Sequence, residues 1–306
     1  MANTVFEATY QASQQITETF DMVWPIVGGL WNLKNESERY FIEHPGADGK
    51  QAKKDIVPNL DIHGFNARRF SKEISWEKQN QYVAKILLIN SMAIFDAWVD
   101  AFVDSSLRNL SKNKKKEICD NVKKGDFSSL ENAISSQPIS PLQGCFHFTA
   151  KRQDAYIDKL RLIYQYFKTC RNSCAHGGIF SSSAETNYNA IAGFNKDECG
   201  LKEFPIIFHT IAGQPVKLSL RGVVGFYDVM IRIINHYDLV AADYYCVENE
   251  LVKRCAHLKS VQLSSNIQKR NRSIRHFFPS VNMCPPYSSK TTAVYNAFLA
   301  CTGSTP

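Results

Sequence analysis

KRQDAYIDKLRLIYQYFKTCRNSCAHGG, residues 151–178, is the stretch on which the fold turns. Tyr156, Leu160, Ile163, Phe167, Cys170 and Cys174 recur every three or four residues, which places them on one face of an α-helix. The run stops at Gly177-Gly178, and glycine readily takes the left-handed conformation that closes a helix C-terminus. The pattern predicts a long helix from about Lys151 to Ala175. Its last turn carries Arg171, Asn172 and His176.

Working outward, the same spacing recurs. Val83, Ile86, Leu87, Ile94, Trp98, Ala101 and Phe102 form a wide apolar stripe, predicting a helix over roughly Trp76 to Leu110. Asp96 and Asp100 sit beside that stripe, and an acid there needs a partner or a solvated pocket. Phe6, Tyr10, Ile16, Phe20 and Val23 predict a helix over 4–24 that Pro25 should end. Short helices are expected at 112–124 and 127–135. A long one is expected from Arg221 to about Cys255. FPIIFHT-IAGQ-PVKLSL alternates about a glycine-containing turn and reads as a β-hairpin at 204–220. Residues 32–66 are polar and punctuated by HPGADGK and VPN, an insertion or long loop. The fold class expected is all-α: a helical bundle over 1–255 with one small β-hairpin, followed by a basic C-terminal tail over 256–306.

Composition limits the alternatives. With 306 residues, 44% of them hydrophobic and 21% charged, the chain can bury a sizeable core and is not a disordered or fibrous protein. The opening MANTVFEATY lacks the basic and apolar regions of a secretory signal. The most apolar stretch, Ala84 to Val103, carries Lys85, Asn90, Asp96 and Asp100, which argues against a membrane span. A cytoplasmic protein is expected. Nine cysteines without a CxxC pair read as buried or free thiols. Cys170, Cys174 and His176 lie close enough for a zinc site, but no second cluster completes one, so neither metal nor cofactor is expected.

The net charge of +7 is unevenly placed. Residues 251–306 hold eight basic residues and no Asp or Glu, while the rest of the chain holds 28 basic against 29 acidic. Such a segment suits phosphate backbones. Lys269, Arg270, Arg272 and Arg275 are the expected RNA contacts, with His276, Phe277, Phe278 and Tyr287 interleaved for base stacking. A solvated tail docked on an acidic face of this or another protein is the competing reading.

Arg171-Asn172-Ser173-Cys174-Ala175-His176 has the form R-N-x-x-x-H. In its helical setting it resembles the signature of the HEPN superfamily (higher eukaryotes and prokaryotes nucleotide-binding), R-x(4–6)-H with a polar residue after the Arg. The resemblance spans roughly Trp76 to Cys255. It implies a metal-independent endoribonuclease of the toxin or antiviral-defence kind, which cuts single-stranded RNA by 2′-OH attack and leaves a 2′,3′-cyclic phosphate. His176 would transfer protons. Arg171 would hold the phosphate. Asn172 would orient the phosphate or the imidazole, and Asp96, with Asp100 as its rival, would pair with Arg171. Where family toxins modified by a nucleotidyltransferase carry Tyr two residues after the His, this chain has Gly178. That modification is therefore not available.

Five residues separate Arg171 from His176, about 500° of helix, so the two side chains point about 140° apart. One chain thus offers an incomplete set of groups, and a homodimer joined at this helix end is expected. An antitoxin or sensor protein is a further possible partner. The main alternative is a non-catalytic HEPN-like scaffold that binds RNA or protein.

Overall fold

The computed structural model describes residues 4–58, 63–260 and 263–302. Its helices are α1 (Glu7–Glu43), α2 (Gly49–Ile56), α3 (Trp76–Ser106), α4 (Lys112–Lys124), α5 (Ser128–Ser135), α6 (Ile157–Ala175), α7 (Ser182–Ile191), α8 (Leu220–Ala241), α9 (Cys246–Arg254), α10 (Ile267–Ser280) and α11 (Thr291–Thr302). The fold is all-α. Among the described residues only isolated β-bridges occur.

Helix α3 is the hub, packed against α1, α4, α6, α8 and α9. Trp98 stacks on Phe102 at 5.1 Å between ring centroids, and Phe95 meets Tyr164 of α6 at 4.6 Å. Phe167 of α6 stacks on Phe226 of α8 at 4.5 Å. These rings bury most of the apolar stripes read from the sequence, while Ile86 and Ala101 of α3 stay exposed. By length and composition α3 could cross a membrane, but 56% of its most apolar window is buried inside the molecule.

Pro25 does not end α1, which continues for a further eighteen residues to Glu43. A proline ring denies the carbonyl four residues earlier its partner. That residue, Asp21, is exposed, and so is Pro25, so water can satisfy the freed group. Beyond Pro25 the helix is anchored: Trp31 packs against Trp76 at 4.9 Å, and the buried Lys34 donates to the Ser71 carbonyl at 2.6 Å. The stretch expected as a loop at 32–66 therefore contains the end of α1 and all of α2. Phe41, Ala52 and Ala67 form a small second core there.

The start of α1 has no side-chain cap of its own. Carboxylates from distant helices serve instead: Asp238 of α8 accepts from the Val5 and Phe6 N–H groups at 2.9 and 3.1 Å, and Glu250 of α9 accepts from Glu7 N–H at 2.7 Å. Burial pushes Asp238 up to about 7 against the pull of those bonds.

The expected hairpin arms do not pair with each other. Pro205 and Ile206 lie against α8, where Gly222 and Gly225, three residues apart on that helix, admit their backbone. A Cβ at Gly222 would lie well under 3.0 Å from the Ile206 carbonyl oxygen, and one at Gly225 would lie 3.2 Å from Pro205 Cα. The second arm pairs with the residues that follow α6. Phe180 N–H donates to Gln214 O at 2.9 Å and Val216 N–H to Gly178 O at 2.8 Å, around an Ile179–Pro215 bridge. Pro215 occupies the position in this register that needs no N–H.

The predicted helix 221–255 breaks into α8 and α9. At the break, Asp243 O accepts from Ser140 N–H at 3.0 Å and Tyr245 N–H donates to Pro138 O at 2.9 Å. The described residues of the basic segment, 256–260 and 263–302, are folded rather than trailing. Phe278, Met283, Cys284, Val294, Phe298 and Leu299 are buried in the main core.

Candidate functional site

The site is built where α6 crosses α3 and ends. Tyr164, Lys168 and Arg171 recur at helical spacing along one face of α6. Arg171 Nη2 donates to Asp96 Oδ2 of α3 at 3.4 Å, with both side chains a little under one-third exposed. Asp100, one turn further along α3, is held by Lys123 of α4 at 2.6 Å. The choice between the two acids is thereby resolved geometrically in favour of Asp96.

Burial is the largest influence on Asp96 and raises its carboxyl above the usual range, against the pull of Lys168, Arg171 and Lys123. Burial likewise lowers the Lys168 ammonium, partly offset by Asp96. The charges are crowded and incompletely satisfied. Asp96 Oδ1, Arg171 Nε and Tyr164 Oη are shut away from solvent without a protein partner. Lys168 and Tyr164 were not among the residues expected from the sequence. Their spacing of three and seven residues before Arg171 was the available signal.

His176 is the C-cap residue of α6. Its N–H donates to Asn172 O at 3.0 Å, and Gly178 N–H reaches back to Ser173 O at 2.8 Å. Gly177, at φ 116°, takes the left-handed region that lets the chain turn. The His176 side chain is exposed. Among the described residues no hydrogen bond joins that side chain to the side chain of Arg171, about 140° away around the helix, or of Asn172. Asn172 is half-buried. The chain thus brings Arg171 and Asp96 together and leaves His176 facing outward from the same helix end.

An apolar strip runs along α3 beside this end. Tyr82, Ile86 and Ile89 are 53%, 66% and 47% exposed, and Ile179, just past the α6 cap, is 53% exposed. Leu218 N–H, on the segment that pairs with Ile179, donates to Gln81 Oε1 of α3 at 2.8 Å, so the strip and the helix end are neighbours. All nine cysteines are free thiols. Among the described residues no three His, Cys, Asp or Glu side chains gather as a metal site.

The four basic residues expected to meet RNA lie on α10 and divide. Lys269, Arg272 and Arg275 are exposed. Arg270 turns inward, its guanidinium 5.4 Å from the Tyr295 ring centre.

No family model, curated protein or solved structure matches this chain.

Proposed function

We propose that the protein is a HEPN-type endoribonuclease of the cytoplasm, active as a homodimer in a toxin or antiviral-defence role. The observation that carries this reading is the Arg171–Asp96 pair at the end of α6, with His176 exposed at the cap five residues on. The helical setting of R-N-x-x-x-H and the exposed strip Tyr82–Ile86–Ile89 beside it support the same reading.

In the reaction, the ribose 2′-oxygen attacks the adjacent phosphorus and the bond to the 5′-oxygen breaks. One His176 takes the 2′ proton, and a second imidazole, protonated, returns a proton to the departing 5′-oxygen. The products are a 2′,3′-cyclic phosphate and a 5′-hydroxyl. Arg171 stabilises the charge that builds on the phosphorane oxygens, and its fork is held by Asp96. Because His176 and Arg171 diverge on one helix, two copies meeting along the α3 strip supply the paired groups.

The test is incubation of end-labelled single-stranded RNA with the protein in EDTA. A ladder ending in 2′,3′-cyclic phosphate, absent with 2′-O-methyl RNA and with His176→Ala, is the expected result. Binding without cleavage would replace the enzyme by a scaffold.

A further inference from the structure

Helix α10 presents two unlike faces. Ile274 and Phe278 are buried, and Phe278 packs on Phe146 at 6.1 Å. On the other face, Gln268, Arg272, Arg275 and His276 recur at one-helix-face spacing and line a cleft of about 430 Å³ closed by Pro285 and Ser288. Asn271 lies at its floor, its side chain engaged with Thr292 in bonds of 2.9 and 3.2 Å. What is offered to a ligand is therefore two guanidinium forks, an imidazole, an amide and a hydroxyl, with no carboxylate. Residues 251–306 contain no Asp or Glu at all. Among the described residues neither Arg272 nor Arg275 has an ion-pair partner.

The far wall is held in place. Cys284 N–H donates to Thr4 O at 2.9 Å, Tyr287 N–H to Cys145 O at 2.9 Å, and His147 N–H to Pro285 O at 3.0 Å. Asn282, at φ 57°, makes the turn that brings this segment back against α10. A preorganised cleft loses less entropy on binding than a flexible basic arm. Its volume lies in the range of sites for small organic ligands. Paired arginines without a counter-acid favour an anion that accepts several donors at once.

We propose that the α10 cleft is a phosphate-binding site for a nucleotide unit, with Arg272 and Arg275 gripping the phosphate and His276, Gln268 and Ser288 completing its shell. This site stands whether or not the α6 end cuts RNA. The phosphate can belong to an RNA strand or to a free nucleotide, and the two sources are separable.

The experiment is fluorescence anisotropy of a labelled 2′-O-methyl RNA 12-mer, which cannot undergo 2′-OH attack, titrated with full-length protein across a salt series. AMP and inorganic phosphate serve as competitors and are also titrated directly by calorimetry. Arg272→Gln with Arg275→Gln should weaken binding about tenfold and lower the salt slope by about 1.4, two phosphate contacts at about 0.7 each. Lys112→Gln with Lys116→Gln removes equal charge from exposed positions on α4 and should change affinity less than about twofold. Arg272→Lys with Arg275→Lys keeps the charge, loses the fork and should fall between, which covers any unfolding of the glutamine pair. Binding of the oligomer without competition by AMP assigns the phosphate to a strand. Arginine-dependent binding of AMP alone assigns it to a free nucleotide. Equal losses in the α10 and α4 variants, binding of an acidic peptide in place of both, or no binding of either phosphate ligand overturns the proposal.

Discussion

Consider Asp96→Asn, which removes one charge from the centre of the α3–α6 crossing and keeps its shape. Three effects compete. The pair at 3.4 Å is just under one-third exposed on both sides, so its Coulomb gain is partly screened and is about 1 kcal/mol. Against that stands the burial that raises the Asp96 carboxyl, a cost that the neutral amide escapes. The third effect is the repulsion left between Lys168 and Arg171 on adjacent turns, about 0.3–0.5 kcal/mol, since Asp100 is already engaged with Lys123. The sum is small, within about 1 kcal/mol of wild type. Arg171→Ala behaves differently, because it strands a half-buried carboxylate, and should cost about 2 kcal/mol. The double variant should therefore be less destabilised than Arg171→Ala alone. Urea unfolding of the four proteins measures this as a coupling of about 1 kcal/mol. The pH dependence carries a sign. A carboxyl whose folded pKa is raised contributes stability below its unfolded value near 4, and loses it as pH rises through the raised value. Asp96→Asn should abolish that decline. A coupling of zero, or an Asp96→Asn protein destabilised as much as Arg171→Ala, would refute the assignment of Asp96 as the residue that holds Arg171.

His176→Ala should abolish RNA cleavage and any growth toxicity while moving stability by less than about 0.5 kcal/mol, because the side chain is exposed; cleavage at wild-type rate would remove His176 from the mechanism. Mixing Arg171→Ala with His176→Ala protein should restore no activity, because the heterodimer holds one His176 where the reaction uses two, and wild-type activity should fall on dilution below the dimer dissociation constant; recovery in the mixture would show that one copy of each group suffices. An active, strictly monomeric species by sedimentation would contradict the two-copy site. Gly222→Ala should destabilise by about 2–4 kcal/mol, since the clash with the Ile206 carbonyl outweighs a helix-propensity gain of about 1 kcal/mol; thermal unfolding checks it. Burial pushes His236 down to about 4, so the unfolded chain takes up its proton first as pH falls from 6.5. His236→Gln should remove about 3 kcal/mol of acid sensitivity over that interval, seen in urea midpoints between pH 4 and 7.

Helix periodicity carried most of the fold. The stripes around Trp98 and Phe167 located α3 and α6, and the glycine pair after His176 located the end of α6, because these signals are local. That Arg171, Asn172 and His176 lie at this helix end was legible for the same reason. Where the reading departed from the structure, distant contacts outweighed local preference. Pro25 lies inside α1 because its face is exposed and the helix beyond it is anchored by Trp31 and Lys34. The arms of 204–220 part because Gly222 and Gly225 offer one arm a groove and Gly178–Phe180 offers the other a partner. The basic tail divides into a folded apolar face and an exposed cationic one.

The sequence by itself determined an all-α chain, its long helices and the placement of Arg171, Asn172 and His176 at the end of α6, since each is encoded in spacing along a single element. Only the tertiary structure decided that Asp96 rather than Asp100 meets Arg171, that Lys168 and Tyr164 share their cluster, and that Arg272 and Arg275 face a cleft while Arg270 does not. One turn of helix separates the two acids, and Arg270 lies about 200° around α10 from Arg272. Which of these positions meets a neighbour and which faces outward is set by how helices pack against one another, which no pattern within one helix records.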